Sequence, residues 1–152
     1  MFNTMASLIK KMERRTLVSI APSAAVADAV QAMNAENIGA ILVMEGQKVL
    51  GIFTERDVMV RVVGAKLDPS ATRVSEVMTA PVRGVELTST VDQALRLMSD
   101  YHGRHLPVFR NGQVERLLSI RDLTDWIIRS QQKDFDSAIN FAKRMGMSNR
   151  RA

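Results

Sequence analysis

No cysteine occurs among the 152 residues. Disulfides, thiolate metal sites and a cysteine nucleophile are therefore excluded. No apolar run approaches the roughly 20 residues that cross a bilayer, so no membrane partner is expected. The Met-Phe-Asn-Thr start carries no charged n-region, apolar h-region or cleavage site, and a cytoplasmic location is the expectation. Aromatic residues make up 5% of the chain, too few for a platform that stacks single-stranded bases. His102 and His105 are the only histidines and have no third ligand beside them, so no metal site is expected. The chain lacks a Walker loop, Gly-x-Gly-x-x-Gly, His-Glu-x-x-His and Gly-x-Ser-x-Gly, and no nucleophile stands beside a base. An enzyme is not expected, nor a catalytic cofactor.

What is present is ordinary in bulk and distinctive in order. Apolar residues are 46% and charged residues 24%, the composition of a soluble globular protein. The net charge of +5 gathers at the ends, in Lys10, Lys11, Arg14 and Arg15 and in Lys143, Arg144, Arg150 and Arg151. Basic ends suit a polyanion. They also read as solvated flanks, and nucleic acid is not the expected partner. The distinctive feature is an internal repeat. Val26 to Val58 recurs without a gap as Val91 to Leu123, with identities at Val26/Val91, Ala29/Ala94, Met33/Met98, Val43/Val108, Val49/Val114, Arg56/Arg121 and Asp57/Asp122. A duplicated unit predicts a pseudo-symmetric fold with clefts between its halves.

Each copy reads strand, helix, strand, strand, helix. A short extended segment (Leu17 to Ile20, Val82 to Leu87) meets a hydroxyl turn, Ser23 in one copy and Thr88-Ser89-Thr90 in the other, which is N-cap chemistry. Helices follow with the stripes Val26, Ala29, Val30, Met33 and Val91, Ala94, Leu95, Met98. Two hairpins come next, Ile41 to Met44 with Val49 to Phe53 about Glu45-Gly46, and Leu106 to Phe109 with Val114 to Leu118 about Asn111-Gly112. A second helix starts after Thr54 or Ser119. Before the repeats, Phe2, Met5, Leu8, Ile9 and Met12 form a stripe that must dock on the body or on a second copy. After them a long helix runs from Arg121 to Met145 with a break expected near Ser130. The divisions expected are an N-terminal helix 1–15, a first repeat 16–63, a linker 64–79, a second repeat 80–128, and a C-terminal helix and tail 129–152.

The chemistry is concentrated in Gly51-Ile52-Phe53-Thr54-Glu55-Arg56-Asp57. A strand ends and a helix begins there. The unpaired N–H groups of a first helical turn attract an anion, and Thr54 and Arg56 add to that field. Asp57, acceptor-only when ionised, suits the vicinal hydroxyls of a ribose. Equally, Thr54-x-x-Asp57 and Ser119-x-x-Asp122 read as capping boxes with no ligand at all. On their own, His105 and Arg104 read as surface residues on a strand edge. Trp126 and the ten methionines are expected in the core or an interface.

Taken together these motifs resemble a pair of cystathionine-β-synthase (CBS) domains, a stand-alone Bateman module. The resemblance rests on Val77-Met78-Thr79, Val91-x-x-Ala94-Leu95-x-x-Met98, Arg104-His105-Leu106-Pro107-Val108 and the Gly51 to Asp57 signature, over about residues 16–128. It implies an α/β fold of two tandem repeats, each β-α-β-β-α, with extra terminal helices. It implies a regulatory module that binds an adenosine-containing small molecule and acts as an energy or metabolite sensor. AMP leads, with ADP, ATP, NAD(H) or S-adenosylmethionine as alternatives. It also implies a homodimer and a regulated protein not identified by the sequence. Carried over residue by residue, one cleft joins Thr54, Arg56 and Asp57 to Met78, Pro81, Val82, Arg83, Gly103, Arg104 and His105. The other joins Ser119, Arg121 and Asp122 to Thr16, Val18, Ile38, Gly39 and Ala40. Arg116 replaces the glycine of the second signature, so the first cleft and its Asp57 are expected to bind the more strongly. A nucleic-acid-binding protein with basic termini and a small nucleotide-processing enzyme are the alternatives.

Overall fold

The protein was analysed as a computed structural model that describes residues 3–13 and 15–144, apart from the side chains of residues 134, 135, 138 and 141–144. Phe2, Arg14, Met145, Arg150 and Arg151 lie outside the described residues, as do the side chains of Phe135, Phe141, Lys143 and Arg144. The elements in order are α1 (Met5–Lys11), β1 (Ser19–Ile20), α2 (Val26–Glu36), β2 (Ala40–Glu45), β3 (Lys48–Thr54) and α3 (Glu55–Asp57), which runs into a π-helix (Val58–Val63). Then come α4 (Val74–Val77), β4 (Val85–Glu86), α5 (Val91–Asp100), β5 (His105–Arg110), β6 (Gln113–Ser119) and α6 (Ile120–Arg144). The expected tandem α/β repeats are present. Among the described residues no helix is long and apolar enough to cross a membrane.

Each repeat builds its own three-stranded sheet, β1-β2-β3 and β4-β5-β6. In both, the short first strand runs parallel to the second and the second pairs antiparallel with the third. Even the irregularities repeat, with a register shift at Val43/Met44 and again at Val108/Phe109. The second hairpin turns on Asn111 and Gly112, both at positive φ (51° and 79°), as a tight twisted turn requires. The first turns on Gly46 and Gln47 between the Glu45–Lys48 pair, one residue later than expected.

Two cores result, and each is closed by a helix that precedes the other repeat. Met5 and Leu8 of α1 are fully buried against Leu87, Val91, Leu118 and Leu123 of the second repeat. The Met5 N–H donates to Ser89 O at 2.8 Å, the Ala6 N–H to Leu87 O at 2.9 Å, and the Val91 N–H to Asn3 O at 2.9 Å. Val74 and Val77 of α4 are buried against Val26, Phe53 and Val62 of the first repeat. The N-terminal stripe therefore docks on the body, on the half distant in sequence.

Several local expectations fail for physical reasons. Ser23 caps nothing. The N-cap of α2 is Ala25, without a side-chain bond, because the Val26 N–H donates to Thr72 O at 2.9 Å. In α5 the hydroxyl does cap, with Thr90 and Gln93 forming a full capping box. Residues 64–79 contain α4, whose two valines carry too little pattern to announce a helix. α6 shows no break at Ser130. Its first turns bury Leu123 and half-bury Trp126 and Ile127 against the second repeat.

The docking of α1 is testable in solution. Leu8→Ala is expected to destabilise the protein by about 2–5 kcal/mol, the range for truncating a buried leucine. Lys10→Ala on the exposed side of the same helix is expected to stay within about 0.5 kcal/mol. Urea denaturation measures both, and equal values would mean that α1 is not part of the core.

Candidate functional site

The two signatures sit at the same place in each repeat, where the third strand ends and a helix begins. Both form complete capping boxes. In the first, the Thr54 N–H and hydroxyl donate to Asp57 Oδ2 at 3.0 and 3.1 Å, and the Asp57 N–H donates to Thr54 Oγ1 at 3.2 Å. In the second, the Ser119 N–H and hydroxyl donate to Asp122 Oδ2 at 2.8 and 2.9 Å, and the Asp122 N–H donates to Ser119 Oγ at 3.2 Å. The next residue in each is also satisfied, Glu55 N–H on Gly39 O at 3.0 Å and Ile120 N–H on Arg104 O at 2.7 Å. The first-turn N–H groups are thus largely committed within the protein. Attraction of an anion here falls to side chains.

The second carboxylate oxygens distinguish the repeats. Asp57 Oδ1 accepts from Thr79 Oγ1 at 3.1 Å and lies 3.6 Å from Arg61 Nε. Asp57 is 6% exposed, and its acceptor capacity is taken up by protein donors. Asp122 is half-buried, and its Oδ1 has no partner among the described residues. The two aspartates thus differ in what the surrounding protein leaves free, and the expected preference for Asp57 rests on neither. Asp57 is a structural hub and Asp122 keeps an oxygen to offer.

The glycine argument also changes. A Cβ on Gly51 would lie 2.5 Å from Met78 Sδ and 2.9 Å from Thr79 O. Gly51 is there so that the Met78-Thr79 backbone can cross β3, where Ile52 and Thr79 exchange N–H···O bonds of 3.0 and 2.8 Å. In the second repeat the counterpart Arg116 reaches back instead, its Nη2 donating to Glu13 O at 2.6 Å. Burial lowers its pKa from the ordinary guanidinium value, Asp122 raises it, and Arg15 lowers it further. Arg61 does the same job in the first repeat, with Nη1 on Met78 O at 2.7 Å.

Two clefts lie between the repeats. Cleft 1 encloses about 1160 Å³ and gathers Thr54, Arg56, Asp57, Pro81, Val82, Arg83, Gly103, Arg104 and His105. Met78 is not on its wall. Its side chain packs on the core of the first repeat. Cleft 2 encloses about 680 Å³ and gathers Thr16, Val18, Ile38, Gly39, Ala40, Ser119, Arg121 and Asp122. The structure thus brings together every expected site residue except Met78. Sequence reasoning passed over Met59, Val60, Arg61, Thr79 and Tyr101 in cleft 1. Arg61 stood four residues from Asp57, one helical turn away, and was the available signal.

Met59 and Val60 come from the π-helix, whose wide turns show in Gly64 N–H on Met59 O (2.8 Å) and Leu67 N–H on Val62 O (2.9 Å). Such turns are rare and frequent at functional sites. Here one leaves Met59 62% and Val60 53% exposed along the cleft while Val62 is buried. On the opposite repeat the Arg83 guanidinium stacks 4.2 Å above the Tyr101 ring. Among the described residues cleft 1 therefore has apolar walls and four arginines, Arg56, Arg61, Arg83 and Arg104. His105 is half-buried. Burial and the neighbouring Arg104 lower its pKa from 6.5 against the opposing pull of Glu55 and Asp122, so it is held neutral more readily than a free imidazole. No group of carboxylates and histidines able to hold a metal ion occurs among the described residues.

A duplicated α/β unit, interlocked by exchanged helices and carrying a hydroxyl-x-x-Asp turn beside each of two inter-repeat clefts, is a tandem-repeat module built around paired sites. The chain belongs to the CBS-domain family: the CBS domain profile matches residues 9–64 and again 74–129. An uncharacterized 17.7 kDa protein of Acidianus ambivalens is 29% identical over 94% of this chain and 87% of its own. The CBS domain-containing protein CBSCBSPB2 of Arabidopsis thaliana is 36% identical over 82% of this chain, which spans only 24% of it. Among solved structures, a protein with CBS domains from Burkholderia ambifaria superposes with a TM-score of 0.81 at 39% identity, covering 85% of this chain and 96% of the other.

The two aspartates are separable by experiment. Asp57→Asn leaves Arg61 and the cap competing for one oxygen and is expected to destabilise the protein by about 1–3 kcal/mol, a fall of several degrees in Tm. Asp122→Asn keeps an oxygen for its cap and is expected to lose less. Thermal unfolding followed by circular dichroism measures the pair, and equal losses would remove the distinction.

Proposed function

We propose that the chain is a non-catalytic regulatory module that binds an adenosine-containing nucleotide in the clefts between its repeats. AMP is the first choice, with ADP, ATP, NAD(H) and S-adenosylmethionine as alternatives. The observation that carries this is the composition of the clefts. Each sets the hydroxyl and aspartate of one repeat opposite strand residues of the other, with Val82 or Val18 and Ile38 for a base and arginines for a phosphate. A CBS domain protein of Pyrobaculum aerophilum, alike in fold with a TM-score of 0.68 and 23% identity, has been solved in complex with AMP, which supports the choice. In cleft 2 the free oxygen of Asp122 is the natural acceptor for a ribose diol. In cleft 1 Asp57 is committed, so the Thr79 hydroxyl, whose own proton goes to Asp57, is left to accept from the diol, and Arg56 donates to the phosphate.

Ligand bound across both repeats favours one placement of them, and it does so only to the extent that it binds that placement more tightly. A second chain is the natural recipient of the shift. Val63 is 65% exposed and its counterpart in the second repeat, Ile128, 62%, so the repeat presents the same apolar position twice on the surface. Patches of this kind mark interfaces, and a homodimer with two-fold symmetry is the reading. A regulated protein would sense the change through α1 or α6.

Ligand choice is read from melting shifts. A ligand at one hundred times its Kd stabilises the fold by about 2.7 kcal/mol, several degrees in Tm. Adenine compounds are expected to exceed guanosine and cytidine nucleotides, because the cleft backbone meets the adenine edge and guanine reverses its donors and acceptors. AMP is expected to exceed adenosine, through the arginines. Equal shifts for AMP and GMP would end the adenine reading, and equal shifts for AMP and adenosine the phosphate reading. Light scattering at micromolar protein is expected to give twice the 16.9 kDa chain mass, and the monomer mass would refute the dimer.

A further inference from the structure

Among the described residues, three side chains line both clefts: Glu55, Arg104 and His105. Their counterparts under the repeat alignment are Ile120, Gly39 and Ala40, none of them charged. The ridge between the clefts therefore carries one set of ionisable groups instead of two, and the clefts must share it. Arg56, Arg61 and Arg83 belong to cleft 1 alone, and Arg15, Arg116 and Arg121 to cleft 2 alone.

The shared groups are anchored in their main chain and loose in their side chains. Arg104 O accepts from the Ile120 N–H at 2.7 Å, and the Glu55 N–H donates to Gly39 O at 3.0 Å. Arg104 Nη2 lies 3.2 Å from Glu55 Oε1, with both side chains well exposed, 63% and 60%. An exposed pair of this kind is weak and yields readily to a better partner. A phosphate is such a partner, since a guanidinium can meet it with two parallel hydrogen bonds. The Glu55 carboxylate has a resting place of its own over Gly39, where a Cβ would stand 3.1 Å from Oε1. Glycine at this position leaves the room that the carboxylate occupies.

Building on the nucleotide reading, we propose that Arg104 is the phosphate-positioning residue of both clefts, serves one at a time, and so makes binding of phosphorylated ligand negatively cooperative. The first phosphate draws the guanidinium toward itself and strips Glu55 of its partner. The second cleft then lacks Arg104 and faces an uncompensated carboxylate on the ridge. A module of two sites thereby behaves as one high-affinity site and one weak site for the same nucleotide.

The test is AMP titration by calorimetry on three proteins. Wild type is expected to bind two AMP per chain with stepwise Kd values at least about ten-fold apart. In Arg104→Ala, an exposed position whose main-chain bond survives, the tight step is expected to weaken about ten-fold and the weak step to stay. Sharing is tested by Val60→Trp, which fills cleft 1 from an exposed wall position and is checked by the loss of one AMP per chain. The remaining cleft 2 is expected to bind about ten-fold more tightly than the weak step of wild type, and adding Arg104→Ala is expected to abolish that gain. A cleft 2 whose affinity is the same with cleft 1 open or filled overturns the coupling and leaves the nucleotide reading standing. Absence of binding by AMP, ADP, ATP, NADH and S-adenosylmethionine at both clefts overturns the nucleotide reading, and the coupling with it.

Discussion

The exchange of closing helices is the constraint from which the rest of the molecule follows. A three-stranded sheet with two helices leaves one face of each repeat open, and a unit of that size buries too little to stand alone. Met5 and Leu8 close the second repeat from a position ahead of the first, while Val74 and Val77 close the first from a position ahead of the second. Neither core is complete without chain that belongs, in sequence, to the other half. The repeats are therefore held in one relation, and the clefts between them inherit a defined shape. A ligand that changes that relation acts against this exchange.

The hydroxyl-x-x-Asp turns show how a duplicated stabilising motif can come to differ in its surroundings. Both are full capping boxes, so the cap reading of Thr54-x-x-Asp57 and Ser119-x-x-Asp122 is correct as far as it goes. The difference lies in what else reaches the carboxylate. Thr79 and Arg61 close around Asp57, whereas Trp126 occupies the position equivalent to Arg61 in the second repeat. Duplication has kept the turn and let its surroundings diverge. Two sites that look alike in sequence have come to differ in charge, volume and free acceptors.

The tandem architecture was legible in the chain because it is written in period and repetition. The Val26 and Val91 helices, the Asn111-Gly112 hairpin and the two signatures all lie where local chemistry places them. The residues expected in each cleft do line it, Met78 apart, but Met59, Val60, Arg61, Thr79 and Tyr101 of cleft 1 went unread. What stayed hidden depends on contacts distant in sequence. The capping of α2 by Thr72 O in place of Ser23, the crossing of β3 by Met78-Thr79 that demands Gly51, and the occupancy of Asp57 by Thr79 cannot be read from neighbours along the chain. The π-helix was hidden for another reason. Val58-Met59-Val60-Arg61-Val62-Val63 is an unbroken run of mostly β-branched residues with no helical period, and pattern reading has nothing there to phase.

That π-helix also divides the kinds of change the first repeat can accept. Its extra residue sets the phase of the chain beyond it, and a normal helical turn would place each later residue about 100° away around the axis. Loss of one residue between Val58 and Val63 would swing Val62 out of the core and bring the wrong side of the following segment toward the seat of Val74 and Val77. Replacement of Met59, Val60 or Val63 disturbs nothing beneath, since all three face outward. For the fold alone, the segment is therefore strict in length and permissive in composition at Met59, Val60 and Val63, so what restricts those residues is whatever the cleft has to hold.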